Sequence, residues 1–202
     1  MQAEGRVGVI SAAEGSRNPL RTDESGALVV QATGKYREAT QAGRVYAVAN
    51  QTAVTSTVAM AATYTGLAVC NPTGSGKNLA MLGFGYINSI AVPTTATVIG
   101  LMTGGGVSAA TKAIVARNRL SGGAASVANC DAAVVFTEAP VLEQVFSTFN
   151  KGALTAGVHH GTNWIDLEGS LIVTPGYHVS AYVQDANAVT WLFSFLWEEY
   201  TP

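Results

Sequence analysis

The chain has 202 residues, of which only 12% are charged, against about 25% in ordinary soluble domains, so it is long enough for one large domain whose surface is neutral and hydroxyl-rich. Eleven basic and thirteen acidic groups leave a net charge of -2, which argues against DNA, RNA or an anionic membrane as partner. So weakly charged a surface gives little protection against self-association, and an oligomer is expected. Residues 1–25 hold neither a basic n-region nor an apolar h-region, and no uncharged apolar run reaches the length of about 18 residues that a membrane helix needs. Neither a signal peptide nor a membrane span is therefore expected. Cys70 and Cys130 lie sixty positions apart without metal spacing; they read as free buried thiols, in keeping with assembly in a reducing cytoplasm.

Taken in chain order, residues 1–25 carry Glu4, Arg6, Glu14, Arg17, Arg21, Asp23 and Glu24 among Gly and Ser. Hydrophobic periodicity there is confined to Val7, Val9 and Ile10, and the stretch reads as an arm that orders against a partner. A short strand is expected at 27–31, then Gly34-Lys35-Tyr36-Arg37, then a strand at 44–49. Residues 51–65 stay open, because Thr55, Thr57 and Val58 favour extended structure while Met60, Ala61 and Ala62 suit one helical turn. From Gly66 the rhythm of strands and turns is clear: strand 67–71, hairpin loop 72–77, long strand 78–92. In that long strand Leu82, Phe84 and Tyr86 share one face and Gly83 and Gly85 the other, which suggests close backbone approach or a bulge. Pro93-Thr94 leads into a strand at 96–102. The Gly-rich stretches 103–107 and 121–126 are expected to be surface loops on either side of a strand at 113–116. Val141–Phe149 fits a helical and a strand period, and its neighbours favour strand.

Near the end, Tyr177, Val179, Ala181 and Val183 alternate with His178, Ser180, Tyr182 and Gln184, and Asp185-Ala186-Asn187-Ala188 is rich in turn formers. Beyond it Trp191, Phe193, Phe195 and Trp197 occupy every second position, so all four rings project from one side of one strand. A long antiparallel hairpin is expected here. Burying the row contributes roughly 1.5–3 kcal/mol per ring, so it forms either sandwich core or an oligomer interface. The whole reads as an all-β, antiparallel β-sandwich, with a jelly roll as the expected form, at 46–202, and an extended N-terminal arm at 1–45.

Motifs for chemistry are weak. Asn71-Pro72-Thr73-Gly74-Ser75-Gly76-Lys77-Asn78 imitates a phosphate-binding loop, but Asn71 replaces its first Gly and Asn78 its Ser or Thr, and a strand follows instead of a helix. His159, His160, His178 and Asp166 have metal-binding side chains without convergent spacing. Glu143, Glu198 and Glu199 offer carboxylates, as a glycosidase requires, but neighbouring Glu198 and Glu199 face opposite ways and read as a solvated strand end. No catalytic, cofactor or metal site is expected, and the chain does not read as an enzyme.

Several segments together carry a resemblance. They are Asp23-Glu24-Ser25-Gly26-Ala27-Leu28-Val29-Val30-Gln31, Gly34-Lys35-Tyr36-Arg37-Glu38-Ala39, Val48-Ala49-Asn50-Gln51-Thr52-Ala53-Val54-Thr55, Gly66-Leu67, Asn71-Pro72, Gly76-Lys77-Asn78-Leu79, Gly169-Ser170-Leu171-Ile172-Val173-Thr174-Pro175-Gly176 and Trp197-Glu198-Glu199. Over residues 22 to 199 the pattern resembles structural proteins of tailed-bacteriophage virions, among them head decoration, or cement, proteins. The resemblance implies a jelly-roll domain assembled as a homotrimer on the capsid surface, with the major capsid protein as partner and no catalytic residue to transfer. The arm would then lie along the capsid and tie neighbouring subunits. A receptor-binding or fibre-knob protein of the virion is the alternative, although no repetitive shaft is visible.

Overall fold

Alternation of apolar and small polar residues, broken by Gly, Pro and Asn, makes this chain fold as strands. The computed structural model describes residues 34–90, 97–106, 112–149, 163–184 and 190–202. The chain divides into two units, Met1–Arg37 and Glu38–Pro202. A five-residue helix, α1 (Arg37–Gln41), precedes the strands β1 (Val45–Ala49), β2 (Val54–Thr55), β3 (Thr63–Cys70), β4 (Asn78–Ile90), β5 (Thr97–Gly105), β6 (Arg117–Asn118), β7 (Asn129–Val135), β8 (Val141–Phe149), β9 (Asn163–Val173), β10 (Tyr177–Gln184) and β11 (Thr190–Tyr200). No helix among the described residues is long and apolar enough to cross a membrane.

The strands form two antiparallel sheets packed as a sandwich. One has the order β6-β1-β11-β4-β9, with β2 added beside β11; the other has the order β7-β3-β10-β5-β8. Eight of the strands pair in a nested series: β1 with β11, β3 with β10, β4 with β9 and β5 with β8, alternating between the sheets. The connection from β5 to β8 carries β7 onto the β3 edge and β6 onto the β1 edge. Ile114 bridges Cys130 of β7 just before the chain reaches β6, so this segment steps from one sheet to the other and closes that side of the sandwich.

Tyr46, Val48, Phe84, Trp191, Phe193, Phe195 and Trp197 from the six-stranded sheet meet Leu67, Val69, Ile99, Leu101, Val179, Ala181 and Val183 from the other in one core. Each aromatic ring withdraws about 150–250 Å² from water, and Phe84 lies at the centre, 5.0 Å from Phe195 and 6.1 Å from Phe193 between ring centroids. The five-stranded sheet has a second apolar cluster on its outer face, where Tyr64, Ala68, Cys70, Met102, Val134 and Tyr182 pack with Phe136. Tyr64 ties this face together: its hydroxyl donates to the Ala181 carbonyl at 2.6 Å and accepts from the Leu67 N–H at 3.0 Å.

Several local expectations change. The terminal pair is not a hairpin, because β10 and β11 belong to opposite sheets and their apolar rows face each other across the core. Turn formers between two strands specify a reversal but not whether it stays within a sheet. For the same reason loop 72–77 arches between sheets and is not a hairpin turn. Residues 103–105 extend β5 and are not a loop, since Thr103 and Gly104 pair with Val179 and His178. β3 begins at Thr63, four residues earlier than expected, and the strand expected at 113–116 contracts to the Ile114 bridge and a two-residue β6. The strand expected at 27–31 and most of the arm lie outside the described residues.

Candidate functional site

Cross-strand register puts small side chains in rows across the outer face of the six-stranded sheet, because directly paired residues share a face. One row runs Ala49, Ser194, Gly85, Trp164; the next runs Arg117, Ala47, Leu196, Gly83, Asp166. Small residues between larger flanks make a trough, and its volume is about 700 Å³. This lies within the roughly 300–1,000 Å³ of small-molecule sites. Ala47, Ala49, Ser194 and Leu196 form its floor, Trp164 one wall, and Ala113, Ile114, Val115, Arg117 and Arg119 the other.

Trp164 owes its position to the glycines. A Cβ on Gly83 would overlap the Cζ2 atom of the indole, and one on Gly85 would meet its Cε3 at 3.0 Å. The ring therefore lies flat against bare backbone. Its Nε1–H donates to Asp166 Oδ1 at 2.9 Å, which fixes its orientation, and 48% of the residue is exposed. An exposed tryptophan braced from below and at its edge gives up little rotamer freedom when something stacks on it.

At the opposite rim β6 is pinned by Asn118, whose Nδ2 donates to the Gly43 and Ala124 carbonyls at 2.8 and 3.0 Å. Arg117 pairs with Ala47, and the Arg119 N–H donates to the Val45 carbonyl at 2.8 Å, so both arginines emerge on the outer face. They are exposed, and neither forms an ion pair with another described residue. Arg44 differs: its Nε lies 2.8 Å from Glu198 Oε1. The trough thus combines an aromatic platform, a carboxylate and two guanidiniums able to fork onto an anion. It suits binding, and among the described residues that line it no nucleophile is paired with a base.

The aromatic row Trp191, Phe193, Phe195 and Trp197 is seated in the core of the sandwich, with all four side chains buried. In the loop that imitates a phosphate site, Asn71 Nδ2 donates to the Lys77 and Val173 carbonyls at 2.8 and 2.9 Å, and Ser75 Oγ donates to Asn71 Oδ1 at 2.6 Å. These polar groups brace the arch itself. His178 is fully buried, its ring stacked 3.6 Å from that of Phe136, and neither nitrogen has a hydrogen-bond partner among the described residues. Burial disfavours the charged imidazolium and lowers its pKa to about 4. His159 and His160 lie outside the described residues. No group of three His, Cys, Asp or Glu placed to hold a metal occurs among the described residues. Glu143 accepts from Thr103 Oγ1 at 3.0 Å on the exposed edge of the other sheet.

Glu199 corrects the expectation of a solvated strand end. It is 1% exposed: its Oε1 accepts from Ser126 Oγ at 2.5 Å and from the Val127 N–H at 3.1 Å, while Oε2 lies 3.6 Å from Lys77 Nζ. Glu198 and Glu199 do face opposite ways, but two loops fold over Glu199 and turn it into a staple. Tyr46 is held above its usual pKa by burial first and by the Glu199 charge second, against a hydrogen bond from Asn118. Both cysteines are free and buried. They occupy opposite faces of the five-stranded sheet, Cys130 in the core and Cys70 in the outer cluster. Burial, and then the Asp131 charge, pushes the Cys70 thiol up to about 12, and burial raises Cys130 as well.

No family model, curated protein or solved structure matches this chain. Sequence reading noticed Gly83 and Gly85 but passed over Trp164, Arg117 and Arg119. The available signal was Trp164-Ile165-Asp166-Leu167, an alternation that puts a tryptophan and an aspartate outward on a strand beside a Gly-x-Gly strand.

Proposed function

We propose that this chain is a structural protein of a tailed-bacteriophage virion: a decoration (cement) protein that binds the outer surface of the head as a homotrimer and stabilises contacts between major capsid proteins. The nested strand pairing supports reading the sandwich as a jelly roll, and the resembling segments from Val48 onward fall on its strands and the turns between them. Fold alone does not carry function. The observation that does is the nine-residue edge strand β8, which exposes Val141 and Val145 at 66% and 52% with Glu143 as its one charged residue. An apolar edge strand with no outer partner among the described residues is a template for pairing with another chain, and on a surface with so few charges it favours life inside an assembly. The test is co-sedimentation with heads that lack the chain. Saturable occupancy is expected, and heads that pellet without it would contradict the proposal.

A second reading, a receptor-binding or fibre-knob protein of the virion, is favoured by the trough. A half-exposed indole on a glycine shelf is a recognition feature that cementing does not require. Binding of the chain to whole host cells tests it, and absence of such binding counts against it.

A further inference from the structure

We propose that the trough binds an acidic oligosaccharide, with one sugar ring stacked on Trp164 and a carboxylate of the same chain gripped by Arg117 and Arg119. The inference rests on the receptor-binding reading and names its ligand class. Three observations converge on this chemistry. The open face of Trp164 is flat, fixed by Gly83, Gly85 and Asp166, and electron-rich, so it complements the weakly positive C–H face of a pyranose. Ser194 stands next to it on the same sheet face and offers a hydroxyl to those of a sugar. Across the trough, two guanidiniums without an ion-pair partner among the described residues supply the charge that a carboxylate needs.

The spacing suits an oligomer. From β6 to β9 the sheet crosses four strand intervals, about 19 Å at the usual separation. Trp164 lies over Gly83 and Gly85 of β4 and the arginines rise from the β6 edge, three strand intervals or about 14 Å away, which leaves room for about two to three linked sugar rings. The separation also sets polarity: the hydroxyl-rich end lies by Trp164 and the carboxylate lies away from it.

Other occupants fit less well. A peptide strand would need unpaired backbone, but β11 and β4 lie between partner strands and β6 pairs with β1 at Tyr46 and Ala47. An amphipathic helix would need deep apolar pockets, but the floor is two Ala and one Ser with one Leu. Nucleic acid is opposed by a net charge of -2.

The full chain is titrated by calorimetry with trigalacturonic acid and α2,8-linked trisialic acid, alongside their carboxyl-reduced forms and maltotriose. Saturable binding of at least one acid is expected, weakened at least about tenfold by Trp164→Ala and by carboxyl reduction. The double variant Arg117→Gln/Arg119→Gln should bind the acid and its reduced form alike. Gly83→Ala, which lifts the indole while leaving Trp164 in place, should weaken binding too, and an unchanged thermal melt of Trp164→Ala shows that the fold is intact. The inference is overturned if neither acid binds at millimolar concentration, if Trp164→Ala leaves binding unchanged, or if sedimentation shows the trough occupied by a second copy. Equal binding of acid and reduced sugar overturns the acidic preference while sparing glycan recognition. Host-cell binding without binding of either acid would spare the receptor-binding reading and remove this inference alone.

Discussion

Replacing Phe195 by alanine tests whether the aromatic row is core. The ring is completely buried and lies 5.0 Å from Phe84. Removing its larger part re-exposes or empties on the order of 130 Å², about 3 kcal/mol at roughly 25 cal/mol per Å². The lost pairing with Phe84 adds about 1 kcal/mol. The sum, about 4 kcal/mol, sits within the roughly 3–5 kcal/mol of buried Phe→Ala changes and is a large share of a typical stability of about 5–15 kcal/mol. With a urea dependence of about 2 kcal/mol per M, the unfolding midpoint should fall by about 2 M. Tryptophan fluorescence follows the transition, since Trp191 and Trp197 flank the site. A loss below about 1 kcal/mol, with a changed sedimentation coefficient, would show that the row is an interface and refute the reasoning.

Three further outcomes follow from the buried groups. His178 has an ordinary pKa of 6.5 unfolded and about 4 folded. The unfolded chain therefore binds the extra proton, and stability should fall as pH drops from 6.5 towards 4, by on the order of 3 kcal/mol in all. His178→Leu should flatten that part of the pH profile in urea titrations, and an identical profile would contradict it. Cys70 and Cys130 should resist a thiol-directed maleimide in the native protein and both react in 8 M urea; fast native labelling of either would contradict their placement. Glu199→Leu should cost about 2–3 kcal/mol by stranding Ser126 Oγ and the Val127 N–H, and Glu199→Gln less, as calorimetric melting would show.

The sequence made the strands legible wherever alternation was strict, as at Trp191 to Trp197, and Gly83 and Gly85 announced a close approach. What it left open was partnership. Alternation says which residues share a face but not which strand lies alongside, so β10 and β11 read as a hairpin although they face each other across the core. Glu199 looked like a strand end because Lys77, Ser126 and Val127, which bury it, come from distant loops. The trough was hidden for the same reason: Trp164 meets Gly83 and Gly85 only through the register of β9 on β4, and Arg117 reaches that face only through β6 pairing with β1.

The measurement closest to the central claim is the melting temperature of phage heads with and without the purified chain, in parallel with the variant Val141→Lys/Val145→Lys. Because a ligand that binds only the intact shell stabilises it, wild-type chain should raise the head's melting temperature until its sites fill. The edge-strand variant, folded to the same thermal stability, should raise it less. Heads that melt at the same temperature at saturating chain would contradict the cementing role.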